Sequence, residues 1–189
     1  MRFSYGLHAR SLHADAALLF EAGRYAGSHS LALLGFEELA KLQPLWSLTV
    51  DASVLAGTDW KYVREFMMKH NDKIALALFT EYLLEAIFSV DHHEDSIIKG
   101  LTPLTALTDE ARRLNLLKQD GFYIGFDGSR FRSPNEVVTE RMAASVVARL
   151  NSMLATFAVF DGLCSLPGPP TKEQLLAAKR SLQAERSQS

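Results

Sequence analysis

The sequence of 189 residues contains a single cysteine, Cys164. No disulfide can form within the chain, which excludes the disulfide-stapled class of small secreted domains and suits a reducing compartment. Long apolar runs are also missing: the longest stretch free of Asp, Glu, Lys and Arg covers residues 25–36, well short of the roughly 18 residues that a membrane-spanning helix needs. The N-terminal sequence MRFSYGLHARS lacks the apolar block of a signal peptide. We therefore expect a soluble, cytoplasmic protein that makes no membrane contact.

A strong charge of one sign is missing as well, since the formal net charge is −2. Proteins that bind nucleic acid over a whole face are usually basic, so any RNA contact of this chain must be local. The sequence has no P-loop, no Rossmann glycine pattern, no G-x-S-x-G and no H-E-x-x-H. The run Asp91–Asp95 (DHHED) contains metal-binding residue types, but adjacent histidines point about 100° apart on a helix. A solvated helix end is the simpler interpretation, and we expect neither a metal nor a cofactor.

Apolar residues recur at three- and four-residue steps through most of the chain, which is typical of amphipathic helices. Pro44 lies inside the second helical pattern and should kink or end that helix. The fold class that we predict is all-α, an up-and-down bundle of about four main helices. The predicted helices cover Tyr5–Ala22, Tyr25 to about Trp46, Val63–Phe88, Asp109–Gln119, Pro134 to about Phe160, and Thr171–Glu185.

Two segments depart from the helical pattern. Residues 121–133 (GFYIGFDGSRFRS) are aromatic and contain an Asp-Gly turn signal, which predicts a small hairpin or an extended lid. Residues 166–170 (LPGPP) are typical of a linker. We therefore divide the chain into a helical domain over residues 1–165, a Pro/Gly linker over 166–170, and a C-terminal helix with a frayed tail over 171–189.

Ionisable groups interrupt the apolar pattern of the second helix at Glu37, Glu38 and Lys41. Lys41 can reach either carboxylate because both lie about one turn away. Glu38 follows Leu34 by four residues and Leu31 by seven, in line with an apolar stripe where a carboxylate needs a partner. Two interpretations stay open: Glu38 and Lys41 form an inward polar network, or the charges are a solvated ion pair.

A second such position is His70, with Lys73 three residues further on. A histidine that shares a face with Met67 and Ile74 is more often a packed core residue than a catalyst. Two helices that each place titratable groups in an apolar stripe suggest one shared polar site, where a carboxylate would hold the imidazole as a general acid or base. Arg64 and His70 form an R-x5-H pattern, but on a straight helix they lie about 120° apart. They share a face if a helix begins between them or if a second subunit contributes.

Several short motifs follow one another along the chain, namely Asp15, Gly23-Arg24-Tyr25, Glu37-Glu38-Leu39-Ala40-Lys41, His70-x-x-Lys73, Arg113, Tyr123-Ile124-Gly125-Phe126, and the helix start Ser133-Pro134. Their order and spacing over roughly residues 9–154 resemble the AbiV-type abortive-infection family of the HEPN superfamily of helical domains. One position departs from that pattern: where the family tends to have Asp, this chain has Gly125, and Asp127 is the candidate substitute.

The resemblance implies bacterial antiphage defence by an all-α HEPN-like protein that arrests growth or translation once infection triggers it. Many HEPN domains are metal-independent ribonucleases that act through an Arg and a His near a dimer interface. The partners implied are a second copy of the chain, a phage-encoded protein as trigger, and RNA. The 48% share of hydrophobic residues is large for a small bundle and also favours a homodimer.

Metal-independent RNA cleavage needs a base for the 2′-hydroxyl, an acid for the leaving oxygen and a cation for the phosphorane. By resemblance, His70 is the base or acid, a nearby cation steadies the charge, and Glu38 orients His70 or Lys41. The expected catalytic residues are His70, Arg64, Lys73, Glu38 and Lys41. Further positions that match the family pattern are Glu37, Arg113 and Tyr123.

The alternative is a non-catalytic helical module. In that interpretation the same charges fix the bundle or the dimer, and the aromatic segment Phe122–Phe131 binds a partner protein. A third interpretation is an antitoxin-like regulatory partner, which would show no toxicity alone.

Overall fold

The computed structural model describes residues 4–42, 57, 59–88, 104–164 and 171–186. These residues form eight helices and one two-stranded antiparallel sheet, which confirms the predicted all-α helical bundle. In chain order the elements are α1 (Ser4–Glu21), α2 (Tyr25–Ala40), α3 (Trp60–Met68), α4 (His70–Phe88), α5 (Leu104–Phe122), β1 (Gly125–Phe126), β2 (Phe131–Arg132), α6 (Pro134–Val137), α7 (Glu140–Cys164) and α8 (Lys172–Arg186).

Helix α2 lies at the centre of the bundle and packs against α1, α4, α5 and α7. Eleven of its sixteen residues are buried, including the polar side chains of Ser28, His29, Ser30 and Glu37. Polar side chains on the covered faces of such a helix do not reach water. Each of these groups therefore has to find a partner within the protein or remain unpaired at a cost.

The turn between α1 and α2 has the geometry of a Schellman motif. Gly23 adopts a φ of 71°, and its N–H donates to Phe20 O over 2.9 Å while Arg24 N–H donates to Leu19 O over 2.8 Å. A left-handed residue at this position favours glycine, and α1 ends at Glu21, one residue before the predicted end at Ala22. Ser28 Oγ then donates to Ala16 O over 2.7 Å and fastens α2 to α1.

Helix α5 approaches α2 closely at Gly121. A Cβ built on Gly121 would lie 2.1 Å from Ser30 Oγ and 2.9 Å from Ala26 O. In the space that the missing side chain leaves, Ser30 Oγ donates to Lys118 O over 3.0 Å. This contact fixes the C-terminal end of α5 beside α2.

The single helix predicted over Val63–Phe88 is wrong, because the chain forms two helices there, α3 and α4. Lys69 is the one residue between them, and its N–H donates to Phe66 O over 3.0 Å in a tighter turn. Neither glycine nor proline marks this junction, and the apolar periodicity continues across it. The sequence pattern therefore shows no sign of the break.

The single helix predicted from Pro134 to about Phe160 is also wrong, because α6 ends at Val137 and α7 begins at Glu140. Val138 between them is extended and buried, and Thr139 Oγ1 accepts from Met142 N–H over 3.3 Å as a helix cap. Among the described residues, five helices have 16 residues or more, namely α1, α2, α4, α5 and α7, and α5 is longer at both ends than predicted. Helix α2 ends at Ala40, and Pro44, Asp91–Asp95 and the 166–170 linker lie outside the described residues.

The predicted hairpin is confirmed as β1 and β2, in which Gly125 pairs with Arg132 and Phe126 with Phe131. The carboxylate of Asp127 closes its turn, since Oδ1 accepts from the N–H groups of Ser129 and Arg130 and from Ser129 Oγ. The hydrogen bond from the Ser129 hydroxyl and those from the two N–H groups lower the pKa of Asp127 to about 2. The large apolar side chains of this region are exposed, namely Phe122, Tyr123, Ile124, Phe126 and Phe131.

By length and composition alone, one described helix could cross a membrane, the stretch Glu140–Val159 of α7. This stretch packs against α1 and α2 and supplies Val146, Leu150 and Met153 to the core.

Candidate functional site

A buried carboxylate, Glu37, joins three helices. Its Oε1 accepts a hydrogen bond from Lys118 Nζ, and its Oε2 lies 2.9 Å from Lys73 Nζ and 2.6 Å from His70 Nδ1. We refer to Glu37, His70, Lys73 and Lys118 as the Glu37 cluster. It is formed by α2, by the first turn of α4 and by the C-terminal part of α5.

The members of the Glu37 cluster differ sharply in exposure. The side chains of Glu37, Lys73 and Lys118 are 2%, 5% and 6% exposed, whereas that of His70 is 52% exposed. Buried charges of this kind are tolerated when they are paired and hydrogen-bonded, as they are here. The cluster therefore exposes one group, the imidazole of His70, whose Nδ1 is bound to the buried carboxylate of Glu37.

Helix geometry explains how these side chains meet. His70 and Lys73 are three residues apart and so share a face of α4. On α2, Glu37 follows Ser30 by seven residues, which places both on the face that packs against α5. Because Ser30 Oγ holds Lys118 O, the Lys118 side chain lies within reach of Glu37.

Glu37 is ionised. Burial is the largest single influence and would raise its pKa, but hydrogen bonds from Lys118, His70 and Lys73, together with the charge of Lys118, outweigh it. The pKa of Glu37 therefore lies below its ordinary value. Two ammonium groups face one carboxylate, so the charge of Glu37 is more than balanced before His70 is counted.

The contacts at His70 Nδ1 fix the tautomer of the neutral ring. An ionised carboxylate can only accept, so the 2.6 Å contact to Glu37 requires a hydrogen on Nδ1. Lys118 Nζ also lies 3.3 Å from Nδ1, but an ammonium can only donate, and the two contacts cannot be hydrogen bonds at once. We favour the shorter bond to the charged carboxylate. Nε2 is then the nitrogen with the free lone pair, and it can take up a proton while Glu37 stabilises the resulting imidazolium.

The structure places Glu37, and not Glu38, beside His70. Glu38 pairs with Lys41 over 2.5 Å, and both side chains are 17% exposed. The stripe used to place it, Leu31 and Leu34, is only partly buried, whereas Glu37 lies four residues after the fully buried Leu33. Among the described residues, no contact joins Glu38 to the Glu37 cluster.

Arg64 lies on α3 and is exposed. Because α4 begins at His70, a helix does begin between the two residues of the R-x5-H pattern. Among the described residues, Arg64 makes no ion pair, and no contact joins it to the Glu37 cluster.

Arg113 on α5 and Tyr123 after it are both exposed and lie outside the cluster's contacts. Lys118 was missed by the sequence reasoning, although a signal was present. It follows Ala111 by seven residues and Leu114 by four, and both of these are buried. A lysine at helical spacing from apolar residues is the same pattern that singles out His70.

A second ionic contact joins α4, α5 and α7. Arg149 Nη2 lies 2.5 Å from Glu81 Oε2, and Arg149 Nη1 lies 3.0 Å from Glu110 Oε1. The guanidinium also lies 5.9 Å from the centre of the Phe36 ring. Burial would lower the pKa of Arg149, but the two carboxylates raise it. We refer to Arg149, Glu81 and Glu110 as the Arg149 clamp.

Among the described residues, no group of three or more His, Cys, Asp or Glu side chains could hold a metal ion. The HEPN_AbiV family model, described as AbiV, matches residues 6–155, which include every member of the Glu37 cluster. No curated protein and no solved structure gives a significant match. The family match indicates an abortive-infection type of function and carries no information on mechanism. Because it covers well over half of the chain, the protein belongs to the AbiV family of HEPN domains.

Proposed function

We propose that this protein is an abortive-infection effector that arrests growth or translation by cleaving RNA without a metal ion, with His70 as its acid–base group. One observation supports this most directly: the exposed imidazole of His70 is anchored at Nδ1 by the buried carboxylate of Glu37. The same pairing of carboxylate and imidazole orients the base in hydrolytic enzymes. A homodimer and a phage-encoded trigger remain predictions.

The reaction is a transesterification within RNA. His70 Nε2 takes the proton of a 2′-hydroxyl, the 2′-oxygen forms a bond to phosphorus, and the bond from phosphorus to the 5′-oxygen breaks. The departing 5′-oxygen takes a proton from water, and the imidazolium later releases its proton to solvent. The products are a 2′,3′-cyclic phosphate and a 5′-hydroxyl. Glu37 acts by stabilising the imidazolium while it holds the additional proton.

The lysines of the Glu37 cluster fit a different role from the one expected for Lys73. The ammonium groups of Lys73 and Lys118 are buried and bound to Glu37, so we assign them to keeping that carboxylate ionised. The exposed guanidinium of Arg64 is better suited to the charge of a phosphorane.

The exposed apolar side chains of the hairpin favour a second candidate function. Phe126 and Phe131 contact each other across the strands, with ring centres 5.2 Å apart, and both are exposed. Exposed apolar patches of this kind often bind another protein. In this alternative the protein is a non-catalytic binding module and the Glu37 cluster only stabilises the bundle.

The two candidates are separated by comparing His70→Asn with His70→Ala. The amide of asparagine can replace the Nδ1–H bond to Glu37 but has no nitrogen that takes up a proton. If His70 is the acid–base group, both variants lose RNA cleavage by a factor of about 10²–10⁴, while circular dichroism and the melting temperature of His70→Asn stay close to those of the wild type. His8→Ala, which removes an exposed histidine of α1, is the matched control and should keep full activity.

The measurements are RNA integrity and growth after induction, and cleavage of a purified RNA in the presence of a chelator. Cleavage that persists in His70→Asn would refute the catalytic role. Growth arrest with intact RNA, which is lost on replacing Phe126 and Phe131 by serine, would favour the binding module.

A further inference from the structure

The two sides of the hairpin formed by β1 and β2 are the reverse of the usual arrangement. Phe126 and Phe131 pair across the strands on one side of the sheet, where they are 62% and 73% exposed. Gly125 and Arg132 pair on the other side and are partly buried, and a Cβ built on Gly125 would lie 3.6 Å from Asp120 Oδ1. An antiparallel sheet at the surface of a soluble protein usually packs its apolar side on the core and exposes its polar side. The outward position of the two aromatic rings therefore favours a partner on the outer side of the hairpin.

The exposed apolar surface around these rings is large. Phe122, Tyr123 and Ile124 come directly before β1 and are 42%, 70% and 69% exposed. We refer to these three residues together with Phe126 and Phe131 as the hairpin face. Its exposed area is about 600 Å², if a whole aromatic side chain has about 200 Å². Monomeric proteins rarely expose an apolar patch larger than a few hundred Å², and one partner of a standard interface buries about 800 Å², so the hairpin face supplies most of the area that a stable contact needs.

The bundle holds the hairpin face at both ends. On the N-terminal side, α5 is fixed against α2 by the close contact of Gly121 with Ser30. On the C-terminal side, α6 packs against α5, and the carboxylate of Asp127 closes the turn between the strands. A surface that is fixed in advance loses little conformational freedom on binding.

The charges around the hairpin face are balanced. Residues 118–136 contain three basic and three acidic residues. Arg130 pairs with Glu136 over 3.8 Å, and Arg132 pairs with Asp127 over 3.5 Å. A nucleic acid or an anionic membrane is attracted by a surplus of positive charge, which this segment does not have. A second copy of the chain brings the same mixture of signs, and a twofold axis lets groups of opposite sign face each other.

We propose that two copies of this chain form a homodimer through the hairpin face. The Phe126 and Phe131 rings of one copy pack against the hairpin face of the other about a twofold axis, and the charged side chains form the rim of the contact. The contact lies at the end of α5, about one helical turn after Lys118 of the Glu37 cluster. This inference goes beyond the proposed function, because it assigns the surface of the dimer and does not depend on RNA cleavage.

Association is measured by sedimentation equilibrium of the whole chain without RNA. We expect the wild type to show twice the 21.0 kDa mass of one chain at concentrations above about 10 μM, because interfaces of this size reach micromolar affinity or better. The double variant Phe126→Ser/Phe131→Ser should weaken association at least about 30-fold, because aromatic side chains at the centre of an interface carry much of its binding energy. Its far-UV circular dichroism should match that of the wild type, since both rings are exposed in the single chain.

Two comparisons locate the contact. Leu18→Ser, which removes a 64% exposed apolar side chain of α1, is the matched control and should associate as the wild type does. Phe131→Leu should weaken association less than Phe131→Ser, because a leucine still packs. Association should also persist at about 1 M salt, where charges are screened beyond about 3 Å, because the contact is mainly apolar.

A wild-type chain that stays monomeric at about 100 μM would overturn the inference, as would a double variant that associates as strongly as the wild type. Binding of phosphatidylserine vesicles or of another protein to the hairpin face of a monomeric chain would overturn it too. Because the measurement contains no RNA, a monomer that cleaves RNA would refute this inference alone. A dimer that leaves RNA intact would refute the proposed function alone.

Discussion

Glu37→Gln removes the negative charge that two buried ammonium groups share. Lys73 and Lys118 are 5% and 6% exposed, so water cannot replace the lost carboxylate without opening the bundle. Removing one partner of a buried ion pair costs about 3–5 kcal/mol, a large part of the roughly 5–15 kcal/mol that stabilises a typical domain. For a chain of this length, each kcal/mol shifts the melting temperature by about 2–4 °C. We therefore expect Glu37→Gln to melt about 6–20 °C below the wild type.

The assay is thermal and urea unfolding followed by circular dichroism. The matched control is Glu38→Gln on the same helix, where the carboxylate pairs with Lys41 three residues away at 17% exposure. A partly exposed pair of this kind contributes about 0.2–1 kcal/mol, so this variant should melt within a few degrees of the wild type. The two neighbouring glutamates thus differ severalfold in their expected effect on stability.

A triple variant separates stability from function. When Glu37→Gln is combined with Lys73→Met and Lys118→Met, no uncompensated charge of the cluster stays buried, and most of the lost stability should return. RNA cleavage should not return, because His70 then lacks its carboxylate. The reasoning is refuted if Glu37→Gln melts with the wild type, or if Glu38→Gln costs as much as Glu37→Gln.

Two further predictions concern stability. Burial lowers the pKa of His29 to about 4, so its neutral form is favoured on folding, and about 3 kcal/mol of stability should be lost as pH falls from about 6.5 to 4. Burial also lowers the pKa of His13, so both histidines contribute to the loss of stability at acid pH. The contribution of His29 is the part of that loss that disappears in the His29→Gln variant. A variant that loses as much stability as the wild type would contradict the prediction. Gly121→Ala should cost about 1–3 kcal/mol, because its Cβ would lie 2.1 Å from Ser30 Oγ. Gly162→Ala, with nothing within 4 Å of the new Cβ, should instead stabilise the protein by about 0.4–1 kcal/mol in urea unfolding, and equal effects of the two glycine variants would contradict this packing argument.

Much of the fold could be predicted from periodicity and punctuation. The spacing of apolar side chains predicted the all-α class and the end of α1 to within one residue, and Asp127-Gly128 predicted the hairpin. Junctions without glycine or proline could not be placed in this way. At Lys69 the apolar pattern runs through, and the break is visible only in its backbone bond to Phe66 O.

The site was predicted in part, for a related reason. Helical spacing placed His70 and Lys73 on one face and gave them a carboxylate partner on α2, but it chose Glu38 in place of Glu37. On a helix buried on most sides, neighbouring positions both have apolar residues one turn away. Which of them points into the bundle depends on where α5 packs, and that is set by the fit of Gly121 against Ser30.

The two ionic clusters together constrain how far His70 can move. On α4, Lys73 of the Glu37 cluster comes eight residues before Glu81 of the Arg149 clamp. On α5, Glu110 of the clamp comes eight residues before Lys118 of the cluster. The order reverses between the helices, so α4 and α5 run antiparallel and are joined by charges at two points about 12 Å apart. A helix fastened at two points has little freedom to rotate or slide. Since His70 is the first residue of α4, this frame fixes the position of its backbone beside Glu37, as the acid–base role proposed for His70 requires.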